Sequence, residues 1–170
     1  MAGDALDELA YAACYSASEL RYLAESLETM HDDWQTRNAR NIYRQIGDHD
    51  KYLELRLKYM EIGSDYHDLA GFYWETGEKE KSIQIAQKGL KKATGRMDEL
   101  RAFMAERAQE SGDRATWIEL QFDQATDSLT LDKYKKFKNA CKTEEWKEYE
   151  PRLLKKMKDT GKTRRICEKG

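Results

Sequence analysis

Valine is missing from this chain, and proline occurs once among its 170 residues. Isoleucine occurs only seven times. Because β-strands draw heavily on β-branched residues, this shortage argues against a sheet. Residues that favour helix, namely Ala, Leu, Glu, Lys, Arg and Gln, are abundant instead. The composition therefore predicts an all-α fold.

Long apolar runs are also missing. The longest, such as residues 69–74, have about six residues, whereas a membrane-spanning helix needs roughly 20. The N-terminal MAGD begins no basic region followed by an apolar run, so we expect no signal peptide. Cys14, Cys141 and Cys167 are odd in number and far apart, unlike a disulfide framework. These absences predict a protein of the reducing cytoplasm without membrane segments.

High polarity is combined here with many aromatic residues. The chain is 36% charged with a mean hydropathy of −0.96, yet 39% hydrophobic and 11% aromatic. Disordered chains of this polarity usually lack such aromatic content. No linker or low-complexity stretch divides the sequence, so we predict one folded domain over residues 1–170.

Charge is distributed unevenly along the chain. Residues 133–169 contain 14 Lys and Arg against six Asp and Glu, whereas the remainder contains 16 against 26. A basic end such as 133–170 is either a nucleic-acid patch or the solvated end of a helical protein, and the sequence leaves both open.

Glycines mark regularly spaced turns. Gly47, Gly77 and Gly112 are each followed by an acidic residue and separated by 30 and 35 residues. Glycine after the last turn of a helix adopts the left-handed conformation at little cost. The acidic residue beside it favours the start of the next helix. This spacing is typical of two-helix repeats.

Apolar residues between these turns recur at helical spacing. The predicted buried stripes are Leu53, Leu57 and Met60; Ile83, Ala86 and Leu90; and Met97, Leu100, Met104 and Ala108. Ser16 begins a capping box with Glu19. About ten helices are predicted, near 4–14, 17–29, 32–46, 49–61, 65–76, 79–93, 97–111, 114–127, 131–141 and 144–158. At Pro151 we expect a fresh helix start after Glu150.

Residues 66–90 resemble a tetratricopeptide repeat. The matching positions are Tyr66, Leu69, Ala70 and Tyr73 in the first helix, Gly77 in the turn, and Ser82, Ala86 and Gly89 in the second helix. Weaker copies follow at Met104, Ala105, Ala108 and Gly112, and precede at Ala39, Tyr43 and Gly47. Trp117 and Thr94 depart from the pattern, where a small residue and a proline are usual. The resemblance implies antiparallel helix-turn-helix repeats forming a tetratricopeptide-like α-solenoid.

A second resemblance covers more of the chain. The segments IYRQIGD (42–48), YLELR (52–56), RMDEL (96–100), AERA (105–108) and LTLDKY (129–134) are similar to the helical region of prokaryotic SWIM zinc-finger proteins. The zinc module of that family has a Cys-x-Cys pair followed by Cys-x-His, and this sequence has neither. The resemblance implies a repeat region of a larger protein, with an interaction role and no known activity.

The repeat alignment predicts a partner-binding groove along the first helices. Its residues are Arg37, Asn41, Arg44, His67, Trp74, Glu106 and Gln109. Parallel inner helices of such repeats can clasp an extended peptide or a helix. Each tryptophan either anchors a partner or packs between repeats; the four are Trp34, Trp74, Trp117 and Trp146. We choose Trp74 as the anchor.

The competing hypothesis is nucleic-acid binding through the basic end. It would use Lys135, Lys136, Lys138, Lys155, Lys156, Arg164 and Arg165. A third hypothesis is a purely structural array that positions the zinc module.

Enzyme chemistry is not indicated by any motif. His31, His49 and His67 are 18 residues apart, with glycines between them and no ligand at i+3 or i+4, so we expect no metal. The ten glycines are scattered and form no phosphate loop. Cys14 lies in an apolar run and is expected to be an inert buried thiol. We therefore expect no cofactor, no small-molecule substrate and a non-enzymatic binding function, with the oligomeric state left open.

Overall fold

A computed structural model describes residues 16–30 and 32–159 and shows an all-α protein in that range. Its described helices are α1 (Ala17–Glu28), α2 (Asp33–Gln45), α3 (His49–Lys58), α4 (Gly63–Glu75), α5 (Lys79–Lys92), α6 (Asp98–Glu110), α7 (Arg114–Asp127), α8 (Leu131–Ala140) and α9 (Thr143–Asp159). The predicted helix at 4–14, with Cys14, lies outside the described residues, as does His31. The all-α prediction is confirmed, and the predicted helix bounds are close to those observed.

The chain divides into two compact units between Met60 and Glu61. In the first unit, α1 packs on α2 and α2 on α3. In the second, α4, α5 and α6 pack on one another, α6 packs on α7, and α7 packs on α8 and α9. Consecutive helices joined by short turns are antiparallel, which is the arrangement that two-helix repeats require.

The predicted turn chemistry is confirmed. Gly47, Gly77 and Gly112 have positive φ angles of 76°, 86° and 73°. The side chains of Asp48 and Asp113 accept hydrogen bonds from backbone N–H groups in the first turns of α3 and α7. Glu78 also precedes its helix but makes no side-chain capping bond. The predicted capping box at Ser16 is present before α1.

The α4–α5 pair fits closely because small residues lie where the helices meet. The Ser82 hydroxyl is fully buried and donates a 2.6 Å hydrogen bond to the carbonyl of Ala70. A Cβ atom at Gly89 would lie 2.5 Å from Cβ of Tyr66 and 2.8 Å from Cδ2 of Leu100. The residues that match the tetratricopeptide pattern are therefore the ones that allow this helix contact.

One predicted stripe is wrong. Leu57 is 56% exposed and α3 ends before Met60, whereas Tyr52, Leu55 and Arg56 are buried. The Tyr52 ring is fully buried, and the Arg44 guanidinium lies 5.5 Å from its centre. The stripe in α6 is confirmed at Leu100, Met104 and Ala108, which are all buried.

Pro151 does not begin a helix, because α9 runs through it. Pro151 is exposed, while Tyr149, Leu153 and Met157 of the same helix are buried. Proline has no backbone N–H, so the carbonyl four residues before it loses its helical hydrogen bond. Because Pro151 is on the exposed side of α9, water can hydrogen-bond that carbonyl instead. The free energy gained by burying the apolar face of α9 therefore exceeds the cost of a proline within the helix.

An aromatic cluster holds α7, α8 and α9 together. The rings of Phe122, Phe137 and Tyr149 lie 5.4 to 5.6 Å apart. Trp117 and Trp146 pack against this cluster half-buried, so both tryptophans contribute to the core.

Arg114 fastens the start of α7 to the start of α9. Its guanidinium donates to both oxygens of Glu145, at 2.8 and 2.7 Å, and to the carbonyl of Ala140 at 2.6 Å. The hydrogen bonds from Arg114 to Glu145, together with the one from the backbone N–H of Lys142, outweigh partial burial and lower the pKa of Glu145 from 4.5 to about 2. The Glu145 carboxylate thus favours the folded state at neutral pH.

Gly89→Ala should lower the free energy of unfolding by about 1–3 kcal/mol, because the added methyl collides with Tyr66. This loss opposes the higher helix propensity of alanine. Urea denaturation followed by circular dichroism measures it. Lys88→Ala, at the exposed neighbouring position, is the control and should stay within about 0.5 kcal/mol of wild type. An unchanged or higher stability of Gly89→Ala would show that the helices are not in tight contact.

Glu145→Gln should lower the free energy of unfolding by about 1–3 kcal/mol at pH 7. The folded-state pKa is depressed, so the carboxylate stabilises above its ordinary pKa and loses this effect as pH falls towards 2. The difference from wild type should therefore shrink in urea titrations between pH 6 and 2. The control is Glu144→Gln, which removes an exposed pair with Lys147 and should cost under about 0.5 kcal/mol. A difference independent of pH would rule out the Arg114 pairing as its cause.

Candidate interaction surface

The position of α4 beside α6 is set at the beginning of α4. Asp65 accepts hydrogen bonds from the N–H groups of Glu61 and Ile62, at 3.0 and 3.1 Å, and so caps the helix. The N–H of Gly63 donates to the carbonyl of Gly95 at 2.9 Å. A Cβ at Gly63 would lie 2.4 Å from the carbonyl oxygen of Arg96. Glycine thus lets the start of α4 lie directly against the loop that precedes α6.

Aromatic side chains join α4 to α6. The ring of Phe103 in α6 lies 5.9 Å from that of His67 and 5.9 Å from that of Trp74, both of α4. Both contacts are edge-to-face, with interplanar angles of 71° and 89°. His67, Trp74 and Phe103 are all half-buried, so part of each ring remains exposed.

Arg107 completes this cluster. Its guanidinium lies 4.4 Å from the centre of the Trp74 ring and 5.1 Å from that of Phe103. It also pairs with Glu106 at 2.7 Å and with Glu110 at 2.8 Å. The Arg107 side chain is only 11% exposed. Its charge is therefore largely used within the protein.

Carboxylates surround the cluster on its open side. The side chains of Glu99, Glu106 and Glu110 are 67%, 64% and 55% exposed. Nδ1 of His67 lies 4.0 Å from a carboxylate oxygen of Glu99. We name this region the α4–α6 surface, formed by His67 and Trp74 of α4 and by Glu99, Phe103, Glu106, Arg107 and Glu110 of α6.

Four of the predicted groove residues lie in this second unit. His67, Trp74 and Glu106 belong to the α4–α6 surface, and Gln109 is exposed on α6 one turn beyond Glu106. Trp74 is partly covered, because the Arg107 guanidinium and Nζ of Lys79 lie 4.4 and 5.0 Å from its ring centre.

Phe103 and Arg107 were not predicted. Their spacing of four residues places them on one side of α6, but only the contact with α4 shows that this side adjoins Trp74.

The other three predicted groove residues lie on α2 in the first unit. Arg37 and Asn41 are exposed. Arg44, half-buried, has its guanidinium over the Tyr52 ring of α3. Spacings of four and three residues place them on one side of α2. Trp34, on the same helix, is 48% exposed.

The predicted basic patch is only partly described. Lys135, Lys136 and Lys138 are exposed on α8, and Lys155 and Lys156 are exposed on α9. Arg164 and Arg165 lie outside the described residues.

Acidic and aromatic neighbours engage some of these lysines. Lys136 pairs with Asp132 at 3.0 Å, and Nζ of Lys138 lies 5.4 Å from the centre of the Trp146 ring.

Comparisons with family models, curated proteins and solved structures gave no match for this chain. Within residues 16–30 and 32–159, no helix is both long and apolar enough to cross a bilayer. The same residues contain no cluster of three or more His, Cys, Asp or Glu side chains suited to a metal ion.

Trp74 and Arg107 should be energetically coupled. Trp74→Leu removes the aromatic face and Arg107→Met removes the charge, so the double-mutant cycle should give a coupling of about 0.5–2 kcal/mol. Urea unfolding of the four proteins measures it. As a matched control, the cycle of Trp74→Leu with Arg101→Met should give almost no coupling, since Arg101 pairs with Asp127 of α7 instead. Equal couplings in both cycles would contradict the stacking of Arg107 on Trp74.

Proposed function

We propose that this chain is a non-enzymatic protein-interaction module that binds an extended peptide or a helix on the α4–α6 surface. The observation that carries the proposal is the half-exposed aromatic cluster of His67, Trp74 and Phe103, bordered by exposed carboxylates. Protein interfaces combine an aromatic and arginine-rich centre with a polar rim. This surface has that combination.

Contacts among the side chains of the α4–α6 surface support the proposal. Its central side chains are already positioned by contacts with one another, and two helices carry them. A partner would therefore lose little free energy to ordering this side of the interface. The glycine contacts at Gly63 and Gly89 maintain the helix positions on which this depends.

A second candidate function is nucleic-acid binding through α8 and α9. The exposed lysines of these helices favour it, because lysines that contact phosphates supply sequence-independent affinity. Neighbouring acidic groups weigh against it, since Asp132 and Glu144 already pair with lysines of the same helices.

We also propose that the module acts within a larger SWIM-type protein of the cytoplasm. Support comes from the segments that resemble that family and from the scarcity of cysteine. In that setting the repeats would bring a partner close to the zinc module.

Selection from a displayed library of random 16-residue peptides tests the proposed function. Peptides selected on the wild-type chain should bind a triple variant of the half-buried His67 and the exposed Glu106 and Gln109, namely His67→Ala, Glu106→Ala and Gln109→Ala, at least about fivefold more weakly. The matched control changes three exposed residues of α5, Glu80→Ala, Gln87→Ala and Lys88→Ala, and should bind like wild type. Fluorescence anisotropy with labelled peptides measures both. Selected peptides that bind all three proteins equally would overturn the proposal.

The nucleic-acid alternative has its own measurement. Phosphate contacts make affinity fall steeply between about 50 and 200 mM salt. A gel shift with random-sequence duplex DNA at these two salt concentrations should show no salt-sensitive complex if the α4–α6 surface is the binding site. A complex that weakens with salt and is lost in Lys135→Gln/Lys138→Gln would favour the alternative.

A further inference from the structure

Charge is segregated between the helices of the second unit. The first helices of its repeats, α4 and α6, together carry seven Asp and Glu against two Arg and no Lys. The intervening helix α5 carries five Lys against one Glu. The acidic helices α4 and α6 therefore differ in net charge from the basic helix α5.

Both arginines of the acidic helices are occupied internally. Arg101 is only 12% exposed and forms an ion pair with Asp127 of α7. Arg107 is stacked on Trp74 and shared between Glu106 and Glu110. One guanidinium thus serves two carboxylates, and Glu99 lies beside His67, with Nδ1 4.0 Å from a carboxylate oxygen. Lys79 lies at the edge of this surface against the Trp74 ring. An excess of exposed negative charge remains on α6.

We propose that the segment bound on the α4–α6 surface is rich in lysine and arginine and carries at least one apolar side chain. This proposal rests on the proposed function and specifies its partner. The ammonium or guanidinium groups pair with Glu99, Glu106 and Glu110. The apolar side chain contacts the exposed part of Phe103 and His67.

Charge complementarity determines where on the protein the segment binds as well as which segments bind. Complementary charge steers a basic segment towards α4 and α6 and suppresses partners of the wrong sign. The net positive charge of α5 repels the same segment, which therefore should bind over the carboxylates of α6. Because these carboxylates are largely exposed, the attraction acts through solvent and should weaken with salt.

Three synthetic peptides of 16 residues test the proposal. They share the same leucines and one phenylalanine, and the remaining positions are all lysine, all glutamine or all glutamate. Fluorescence anisotropy at about 50 mM salt should give at least about tenfold tighter binding of the lysine peptide than of the glutamine peptide. The glutamate peptide should bind more weakly still. The preference for lysine should largely disappear at about 500 mM salt.

Two matched variants locate the effect. Glu99→Gln/Glu106→Gln/Glu110→Gln should reduce the preference for lysine over glutamine to under about threefold, because the lysine peptide loses its charge pairing. Asp132→Asn/Glu144→Gln/Glu148→Gln removes three exposed carboxylates that pair with cations of their own helices, and should retain the preference. Circular dichroism confirms that both variants are folded.

The outcomes separate this inference from the proposed function. Library peptides that depend on the α4–α6 surface but are not enriched in lysine and arginine would overturn the inference and leave the function standing. A lysine preference that is retained in the Glu99/Glu106/Glu110 variant would also overturn the inference. Sedimentation velocity provides a further check. If the wild-type chain forms dimers and this variant does not, the occupant is a second copy of the chain, and the inference is overturned. Loss of the preference in that variant alone supports it.

Discussion

The close approach of α4 to its neighbours is the constraint on which the second unit depends. Gly89 lets α5 lie against Tyr66, and Gly63 lets the start of α4 lie against the backbone of Arg96. Neither contact leaves room for a β-carbon. Interiors packed at this density respond to the addition of even one methyl group. The two glycines therefore determine where α4 lies, and through it which side chains α4 and α6 bring together.

The α4–α6 surface follows from this placement. His67 and Trp74 meet Phe103 only because α4 adjoins α6, and Arg107 then stacks on the rings while it pairs with two glutamates. Burial of the arginine within this cluster leaves the carboxylates around it exposed. The same packing that rigidifies the aromatic cluster thus gives the surface its negative charge, which is why we propose a basic partner.

Much of the fold could be predicted because it depends on local chemistry. Gly47, Gly77 and Gly112 require positive φ, and their spacing identified them. Ser82, Ala86 and Gly89 are small where helices meet, and the resemblance to a tetratricopeptide repeat identified them. Predictions failed where tertiary packing decides. In α3 the buried side contains Tyr52 and Leu55, so the predicted stripe at Leu57 is exposed. In α9 burial of the apolar face keeps the helix continuous through Pro151. Phe103 and Arg107 could not be recognised from the sequence as surface residues, because they contact Trp74 only where α6 packs against α4.

Mapping where a basic peptide binds tests the central claim most directly. Titration of the isotope-labelled chain with the lysine peptide should shift the indole N–H resonance of Trp74 and the backbone amides around His67, Phe103 and Glu106. The amides of α5, α8 and α9 should not move. Shifts confined to the lysine-rich helices α8 and α9, or the absence of any shift at saturating peptide, would contradict the proposed binding site.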